Sequence, residues 1–358
     1  MRVIIAGGGT GGHLFPGIAL AEEFLKRSGE AKILFIGTQR GMEAKLLPQL
    51  GFELKTIDVE GIKGRGLGAL VKSVYQIPVS MWQSRGIIKE FKPNIVIGVG
   101  GYASGPAVIA AYLMKIPTAI AEQNALPGLT NRILGKFVKK IFVTYQQTAR
   151  YFPPAKVMVS GNPVRAAFAA INNTERDKKD CRQLLVFGGS QGAEAINRAI
   201  IRILPRLQKM KRKICIIHQT GTKQADKIKK VYEKYAMKAH VLPFIVDMVK
   251  AYKSADLIIC RAGATSLAEI TAAGRAAILI PYPYAANDHQ AKNARAMAEA
   301  GAAVVLYEHE LSDGKLYDII EELLIDEKKI RQMEAKAASL GNIKAAANIV
   351  DTCIKLMA

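Results

Sequence analysis

Three glycine-rich turns in this chain have the composition of anion-binding loops. They are GGGTGGH at 7–13, GVGGYASGP at 98–106 and GGSQGA at 188–193, here called the first, second and third glycine turns. Glycine lets a ligand approach the backbone closely, and the N-terminus of a following helix presents unpaired N–H groups to an anion. A fourth turn, SGNPVR, places Arg165 just after an Asn-Pro pair. Turns of this kind at several strand ends predict a site for a phosphorylated ligand.

Two later stretches carry polar side chains that suit sugars. In CRAGATSLAEITAAG at 260–274, a helix carries Glu269, whose carboxylate can accept hydrogen bonds from both hydroxyls of a ribose. The alternative is a glutamate that only complements the helix dipole. PYPYAANDHQAKNA at 281–294 then places Gln290 and Asn293 near the start of a helix. Their amides both donate and accept hydrogen bonds, which suits sugar hydroxyls.

A dinucleotide-binding pattern is also present in the first glycine turn. Gly7, Gly9 and Gly12 satisfy G-x-G-x-x-G, although so glycine-rich a run matches easily. Binding of NAD further requires an acidic residue at the end of the second strand. That strand ends in FIGTQRG, without Asp or Glu, while Arg40 could serve NADP. A dehydrogenase is therefore disfavoured but stays open.

The elements that must position these residues alternate along the chain. Short apolar runs such as Val3–Ala6 alternate with helical patterns, which is typical of a parallel sheet covered by helices. The polar stretch at 171–182 interrupts this rhythm, and a strand, glycine turn and helix then follow again. We predict an α/β protein with two Rossmann-like, doubly wound domains, 1–163 and 164–341, facing across a cleft. We expect residues 342–358 to form a helix that packs back on the first domain.

Composition limits the class of protein and its partners. The chain has 358 residues and a net charge of +21, which indicates an acidic partner, although solvated lysine-rich helices explain part of this charge. Aromatic residues are not interleaved with the basic runs, so nucleic acid is disfavoured. We find neither a membrane-spanning apolar run nor a signal peptide. Four cysteines lack metal-type or redox-type spacing, and we expect reduced cytosolic thiols at Cys181, Cys215, Cys260 and Cys353.

The stretch at 62–92 combines basic and apolar residues, which is typical of an element that lies on anionic lipid. The alternative is a core helix with a solvated basic side, and we expect this to hold for Trp82. A smaller lipid contact at Ile62–Leu70 is retained as a hypothesis.

Seven motifs together give a resemblance to a known family. GGTGGHLFPG, GGYASGP, EQN, GNPVR, GGSQGA, GATSLAE and PYPYAANDHQAKNA occur in the order seen in the MurG family of bacterial N-acetylglucosaminyltransferases, and they span nearly the whole chain. The resemblance implies a GT-B fold and inverting transfer of GlcNAc from UDP-GlcNAc. The acceptor would be the 4-hydroxyl of the muramoyl sugar of undecaprenyl-diphospho-muramoyl-pentapeptide (lipid I), which yields lipid II in peptidoglycan synthesis.

The resemblance also implies a location and partners. The enzyme would be a peripheral protein at the cytoplasmic face of the inner membrane. Its partners would be UDP-GlcNAc, lipid I, an anionic membrane surface, and proteins of cell-wall synthesis and division.

Donor-site roles follow from the same resemblance. Glu269 would hold the ribose hydroxyls, and the Ile245 backbone would meet the uracil. Ser190 and Arg165 would contact the diphosphate. Asn124 and Gln290 would bind the GlcNAc hydroxyls. The remaining donor-site residues would be Thr10, Gly11, Gly12, Ala264, Thr265, Ser266, Leu267 and Ala268.

On the acceptor side the resemblance places Tyr102, Ser104 and Glu122. His13, directly after the glycines of the first turn, is the candidate general base, because an imidazole titrates near neutral pH. The alternative is that His13 only caps or orients the turn; Glu122 would then be the next candidate base.

No metal or other cofactor held by the protein is expected, since the sequence contains no Asp-x-Asp motif. The charge that develops on the leaving UDP would be taken up by the helix after the third glycine turn, with Arg165 and Ser190.

Three other functions stay open at this point. A UDP-GlcNAc epimerase would need acid and base carboxylates around the donor sugar. A glycosyltransferase acting on diacylglycerol would share the donor turns but not GGYASGP and EQN. A non-catalytic membrane-surface protein would explain the charge but not the glycine turns.

Overall fold

The computed structural model describes residues 1–59, 67–172, 180–285 and 288–357. The chain divides into two compact units: unit 1 comprises Met1–Arg165 with Ile343–Ala358, and unit 2 comprises Ala166–Asn342. Each unit contains a parallel sheet accompanied by helices, so the predicted α/β class with two Rossmann-like domains is confirmed.

Unit 1 is built on a seven-stranded parallel sheet in the order β3-β2-β1-β4-β5-β6-β7. Its strands are β1 (Arg2–Gly7), β2 (Lys32–Gly37), β3 (Glu53–Thr56), β4 (Ile95–Gly100), β5 (Thr118–Glu122), β6 (Lys140–Val143) and β7 (Val157–Val159). Its helices are α1 (Gly11–Arg27), α2 (Glu43–Gln49), α3 (Leu67–Phe91), α4 (Ser104–Leu113), α5 (Leu129–Leu134) and, from the end of the chain, α14 (Ala345–Met357).

Strands β4 and β5 are buried along their whole length, and their apolar sequences IVIGVG and TAIAE suit a strand covered on both faces. The chain runs outward from β1 through β2 to β3 and then returns to β4. This reversal puts the first and second glycine turns side by side at the carboxyl ends of β1 and β4. Ligands of open α/β sheets bind at such a point.

Unit 2 repeats this plan with a six-stranded parallel sheet in the order β10-β9-β8-β11-β12-β13. Its strands are β8 (Arg182–Phe187), β9 (Ile214–Gln219), β10 (Lys238–Leu242), β11 (Leu257–Cys260), β12 (Ala277–Leu279) and β13 (Ala303–Val305). Its helices are α6 (Ala166–Asn172), α7 (Glu194–Gln208), α8 (Ala225–Lys234), α9 (Met248–Ser254), α10 (Ala264–Ala273), α11 (His289–Glu299), α12 (Lys315–Ile325) and α13 (Glu327–Leu340). Here the third glycine turn, after β8, neighbours the turn after β11.

Helix α14 packs against α1 and completes unit 1. Ile349, Val350 and Cys353 are fully buried, and Arg27 pairs with Asp351 at 3.0 Å.

The expectation of four reduced thiols is wrong for two of them. Cys181 and Cys215 form a disulfide with a Cα–Cα distance of 5.8 Å. Strands β8 and β9 are direct neighbours and pair Gln183 with Cys215, which brings Cys181 within bonding reach. This proximity depends on strand order, which the linear spacing of the cysteines does not reveal. Cys260 and Cys353 are free and buried.

The expectation that Trp82 lies in the core is also wrong, since its side chain is 76% exposed. Between residues 76 and 91, helix α3 instead buries a face that contains Ser80, Ser84 and Ile88, and Trp82 lies off that face. The whole of the proposed lipid contact at 62–70 falls outside the residues whose side chains the structure describes. In the described parts of the chain, no helix is both long enough and apolar enough to cross a bilayer.

Candidate active site

The first and second glycine turns pack backbone to backbone at the carboxyl edge of the unit 1 sheet. The Gly8 N–H donates to the Gly100 carbonyl oxygen at 3.3 Å. Gly101 has a φ of +82°, and a Cβ there would collide with the Gly8 backbone, so only glycine fits. Helix α1 begins at Gly11 and directs its first N–H groups toward this edge. This arrangement is suited to an anionic group.

Glu43 is a buried carboxylate beneath the first glycine turn, and it was not predicted from the sequence. It is 0% exposed and accepts hydrogen bonds from Gly9 N at 2.6 Å, Thr38 N at 2.9 Å and Thr38 Oγ1 at 2.9 Å. A side chain at Gly37 or Gly41 would collide with it. Glu43 therefore fixes the path of the turn. The signal in the sequence was a glutamate with a glycine two residues before it, in a turn that follows a strand.

The imidazole of His13 lies over Gly100, where a Cβ would approach Cδ2 to 2.6 Å. Burial lowers the pKa of His13 from its usual 6.5, whereas Glu122, a hydrogen bond to the Gly8 backbone and Glu43 act in the opposite direction. The ring is therefore neutral near pH 7, and the two carboxylates would favour the cation that forms when it takes a proton.

The other residues predicted at the first turn directly precede His13 in the chain. Thr10 is exposed, and its Oγ1 lies 3.4 Å from His13 Nδ1. Gly11 and Gly12 form the first turn of α1.

Glu122, at the end of β5, is 3% exposed and organises the segment that follows it. Its carboxylate accepts hydrogen bonds from Asn124 N at 2.9 Å, Asn124 Nδ2 at 3.2 Å, Gly128 N at 3.1 Å and Asn131 Nδ2 at 2.9 Å. Both carboxylate oxygens are thus engaged, which favours a positioning role through Asn124 over proton transfer. Asn131 was not predicted.

The acceptor-side residues Tyr102 and Ser104 differ in their placement. Tyr102 lies in the second glycine turn, is 52% exposed and can contact a ligand. Ser104 is fully buried, and its hydroxyl packs against Gly98 of β4. The position of Ser104 gives no support to the prediction that it touches the acceptor.

Arg165 lies beside α1 in unit 1. Its guanidinium is 5.7 Å from the centre of the Phe15 ring. Burial raises the pKa of the nearby Glu22 carboxyl, and the positive charge of Arg165 partly offsets that rise.

In unit 2, Ser190 is partly exposed in the third glycine turn, just before α7 begins at Glu194. The neighbouring Gln219 was not predicted from the sequence. Its Nε2 donates to the Gly189 carbonyl oxygen at 2.7 Å, and its Oε1 accepts from Ile245 N at 2.7 Å.

Glu269 lies on α10, which starts directly after the turn at the end of β11. It is 6% exposed, and its Oε2 accepts a hydrogen bond from the Tyr252 hydroxyl at 3.3 Å. Burial, together with Glu269, raises the pKa of Tyr252, so the tyrosine remains a donor. Of the other residues predicted on this helix, the partly exposed ones are Thr265, Ser266 and Ala268, and the buried ones are Ala264 and Leu267.

Gln290, in the first turn of α11, is oriented by Tyr282 N, which donates to its Oε1 at 3.0 Å. Arg261, a further residue that was not predicted, holds the chain nearby. It is 9% exposed, donates to Pro281 O at 3.0 Å and pairs with Glu308 at 2.5 Å. An arginine directly after a buried strand was the available signal.

Within the described ranges, no group of three or more His, Cys, Asp or Glu side chains could hold a metal ion. The absence of a metal from the reaction stays a prediction.

Comparison with known proteins decides the family. Residues 3–143 match the glycosyltransferase family 28 N-terminal domain, and residues 183–352 match the family 28 C-terminal domain. A UDP-N-acetylglucosamine--N-acetylmuramyl-(pentapeptide) pyrophosphoryl-undecaprenol N-acetylglucosamine transferase from Syntrophus aciditrophicus is 55% identical over 100% of this chain and 99% of its own. The chain belongs to glycosyltransferase family 28. The transferase of the same name from Myxococcus xanthus is 45% identical to this family 28 protein, over 100% of the chain and 93% of its own.

Solved structures agree with this family 28 assignment. The crystal structure of Acinetobacter baumannii MurG matches with a TM-score of 0.72 and 32% identity over 99% of both chains, so the resemblance to the MurG family is confirmed. A UDP-GlcNAc 2-epimerase from Neisseria meningitidis matches with a TM-score of 0.68 but 13% identity, over 99% of this chain and 100% of its own. At that identity the likeness shows the fold alone, and it does not support the epimerase alternative.

Proposed function

We propose that this enzyme transfers GlcNAc from UDP-GlcNAc to the 4-hydroxyl of the muramoyl sugar of lipid I, with inversion, and so makes lipid II. The observation that carries the proposal is the 55% identity over full length to a transferase whose name states this donor and acceptor. The glycine turns at the carboxyl edge of each sheet support it, because they suit the phosphates that donor and acceptor both carry.

Donor binding is assigned to unit 2. The third glycine turn with Ser190 would hold the diphosphate, and Ile245 would meet the uracil. Glu269 would accept hydrogen bonds from the ribose hydroxyls, and Gln290 would bind the GlcNAc. The partial exposure of Ser190 and the fixed orientations of Glu269 and Gln290 support these roles.

His13 is the proposed general base, since its lowered pKa keeps it neutral and able to accept the proton of the 4-hydroxyl. The freed oxygen then attacks the anomeric carbon of GlcNAc, and the bond to UDP breaks. The N-terminus of α7, Ser190 and Arg165 would stabilise the charge that appears on the diphosphate. One preorganised donor of this kind is worth about 10²–10³ in rate.

We also propose that unit 1 binds an anionic membrane surface as a peripheral protein, at the cytoplasmic face of the inner membrane, where a lipid-linked acceptor is reached. Neighbouring helices α3, α4 and α5, with the residues just after α4 and α5, carry the supporting side chains. The exposed apolar ones are Trp82, Leu113, Leu129, Ile133 and Phe137, and the exposed basic ones are Lys115, Arg132 and Lys136. Apolar and basic groups together favour binding to anionic headgroups.

One assay tests the main proposal. The full chain is incubated with labelled UDP-GlcNAc and a lipid I analogue. We expect a labelled disaccharide lipid and release of UDP. Conversion of UDP-GlcNAc to its epimer, or hydrolysis without transfer at saturating acceptor, would contradict the proposal.

A further inference from the structure

Thr10 occupies the position just before α1, where a threonine ordinarily caps the helix. Its backbone is extended, with φ −134° and ψ 158°. A hydroxyl at this position commonly accepts a hydrogen bond from an N–H two or three residues further on, but the Thr10 side chain makes no such bond. Its Oγ1 lies instead 3.4 Å from Nδ1 of His13. The hydroxyl is therefore engaged with the imidazole and not with the helix backbone.

The second ring nitrogen of His13 has a different neighbour. Nε2 lies over Gly100, where it would approach a Cβ to 3.0 Å, and the Gly8 carbonyl oxygen would approach a Cβ at the adjacent Gly101 to 2.4 Å. The imidazole hydrogen-bonds to the Gly8 backbone, and a carbonyl oxygen can only accept. These contacts place the ring hydrogen on Nε2. A neutral imidazole carries one such hydrogen, so Nδ1 is the basic nitrogen, and Thr10 lies beside it.

Thr10 is the more accessible member of the pair. It is exposed, whereas His13 is partly buried, so an incoming hydroxyl can reach Thr10 Oγ1 from solvent. A threonine hydroxyl can accept one proton while it donates another. The far end of this chain is suited to keep the proton, because Glu122, Glu43 and the hydrogen bond to Gly8 all favour the imidazolium.

We propose that Thr10 is a second catalytic residue, which relays the proton of the acceptor hydroxyl to Nδ1 of His13. The inference rests on the proposed function, which brings the muramoyl 4-hydroxyl to this turn. The resemblance to the MurG family places Thr10 next to the donor, which is consistent with a position at the bond that forms.

The relay balances as a single concerted step. The 4-hydroxyl oxygen forms a bond to the anomeric carbon of GlcNAc while its proton moves to Thr10 Oγ1, and the hydrogen that Thr10 carried moves to Nδ1 of His13. The bond between the anomeric carbon and UDP breaks, and its electron pair leaves on the diphosphate. Thr10 ends as a neutral hydroxyl, and His13 ends as an imidazolium that releases its proton to solvent after the products leave.

Substitution at Thr10 tests the relay in single-turnover experiments. Thr10→Val keeps the shape of the side chain but removes the hydroxyl. We expect the rate of transfer to fall about 10²-fold or more, as for loss of one proton-transfer group, with KM for both substrates within about threefold of the wild type. Thr10→Ser keeps the hydroxyl and should retain most of the rate. A Thr10→Val variant with a raised KM and an unchanged rate would assign Thr10 to binding alone and overturn the relay.

The matched control is Thr352→Val on α14, where the hydroxyl donates to Asn348 O at 2.8 Å. This variant should transfer GlcNAc at the wild-type rate. In mixtures of light and heavy water, the wild-type rate should depend on deuterium content along a curve, because two protons move together. A straight line would show a single moving proton and contradict the relay.

The position of the ring hydrogen can be measured without any substrate. Nitrogen NMR of the full chain labelled with ¹⁵N-histidine, with His13→Gln to assign the resonance, should show His13 above pH 7 with its hydrogen on Nε2. A hydrogen on Nδ1 would overturn the inference, since Thr10 would then lie beside the wrong nitrogen. A wild type with the expected ring hydrogen that does not glycosylate the lipid I analogue would instead refute the proposed function.

Discussion

The imidazole of His13 packs against Gly100 and hydrogen-bonds to the Gly8 backbone, while Glu122 and Glu43 act on its charge. Burial lowers its pKa, so the ring is neutral near pH 7. Because burial lowers its pKa, protonation of the free base should occur below pH 6.5. We therefore predict that the acidic limb of the kcat/KM profile lies below pH 6.5. His13→Gln should lower kcat by about 10²–10⁴ and change the affinity for UDP little. Turnover of His13→Gln at the wild-type rate would assign the base elsewhere.

Glu43 permits a second test at the level of a single side chain. Glu43→Gln keeps one oxygen acceptor but removes a negative charge that raises the pKa of His13. We predict that kcat falls about tenfold, as expected for one lost charge-assisted hydrogen bond. The acidic limb of the kcat/KM profile should move further toward low pH, because the pKa of His13 falls when the charge of Glu43 is removed. The control is Glu23→Gln, which removes another buried carboxylate, on α1, where it pairs with Arg27 at 3.4 Å. An unshifted pH profile in Glu43→Gln would show that this carboxylate has only a structural role.

At the level of elements, His218 joins two helices of unit 2 to β9. Its Nδ1 lies 2.9 Å from the Tyr232 hydroxyl on α8, and its Nε2 lies 3.0 Å from Asn197 Oδ1 on α7. Burial lowers the pKa of His218 from 6.5 to about 3. The folded state therefore holds His218 neutral, whereas the unfolded chain takes up a proton near pH 6.5.

This difference predicts a stability that depends on pH. The contribution of His218 is fully present above pH 6.5 and is lost progressively as the pH falls toward about 3, at up to about 1.4 kcal/mol per pH unit for one proton. Chemical denaturation at several pH values measures it. We expect His218→Gln to be less stable at pH 8 but to lose less stability on acidification. If the free energy of unfolding fell equally with pH in the wild type and in His218→Gln, the prediction would be contradicted.

The features that could be predicted from the sequence are those formed by residues that are adjacent in the chain. Glycine turns after apolar runs are contiguous signals, and the structure has all three turns at strand ends. Trp82 and the Cys181–Cys215 pair were misjudged because the buried face of α3 and the order of β8 and β9 depend on contacts between distant residues. Glu43 and Gln219 were missed for the same reason, since their partners lie on other segments of the chain.

At the level of the whole molecule, the charge of +21 and the exposed apolar side chains of unit 1 predict binding to anionic vesicles. Replacing Trp82 and Leu113 together by Ser should reduce sedimentation with such vesicles, since both are largely exposed. The control is Tyr284→Ser in unit 2, where the tyrosine is 83% exposed. Activity on a water-soluble acceptor analogue should stay unchanged in all variants. Equal sedimentation of the double variant and the wild type would remove this surface from the proposal.

Unit 1 can fold completely only after unit 2 has been synthesised, because helix α14 belongs to unit 1 but follows unit 2 in the sequence. The ribosome makes residues 166–342 before it makes this helix, so the face of α1 that packs against α14 stays uncovered until α14 has been translated. A nascent chain stalled after unit 2 would carry a finished C-terminal half and an incomplete N-terminal half. Chaperones that recognise exposed aliphatic surface should therefore associate with unit 1 longer than with unit 2.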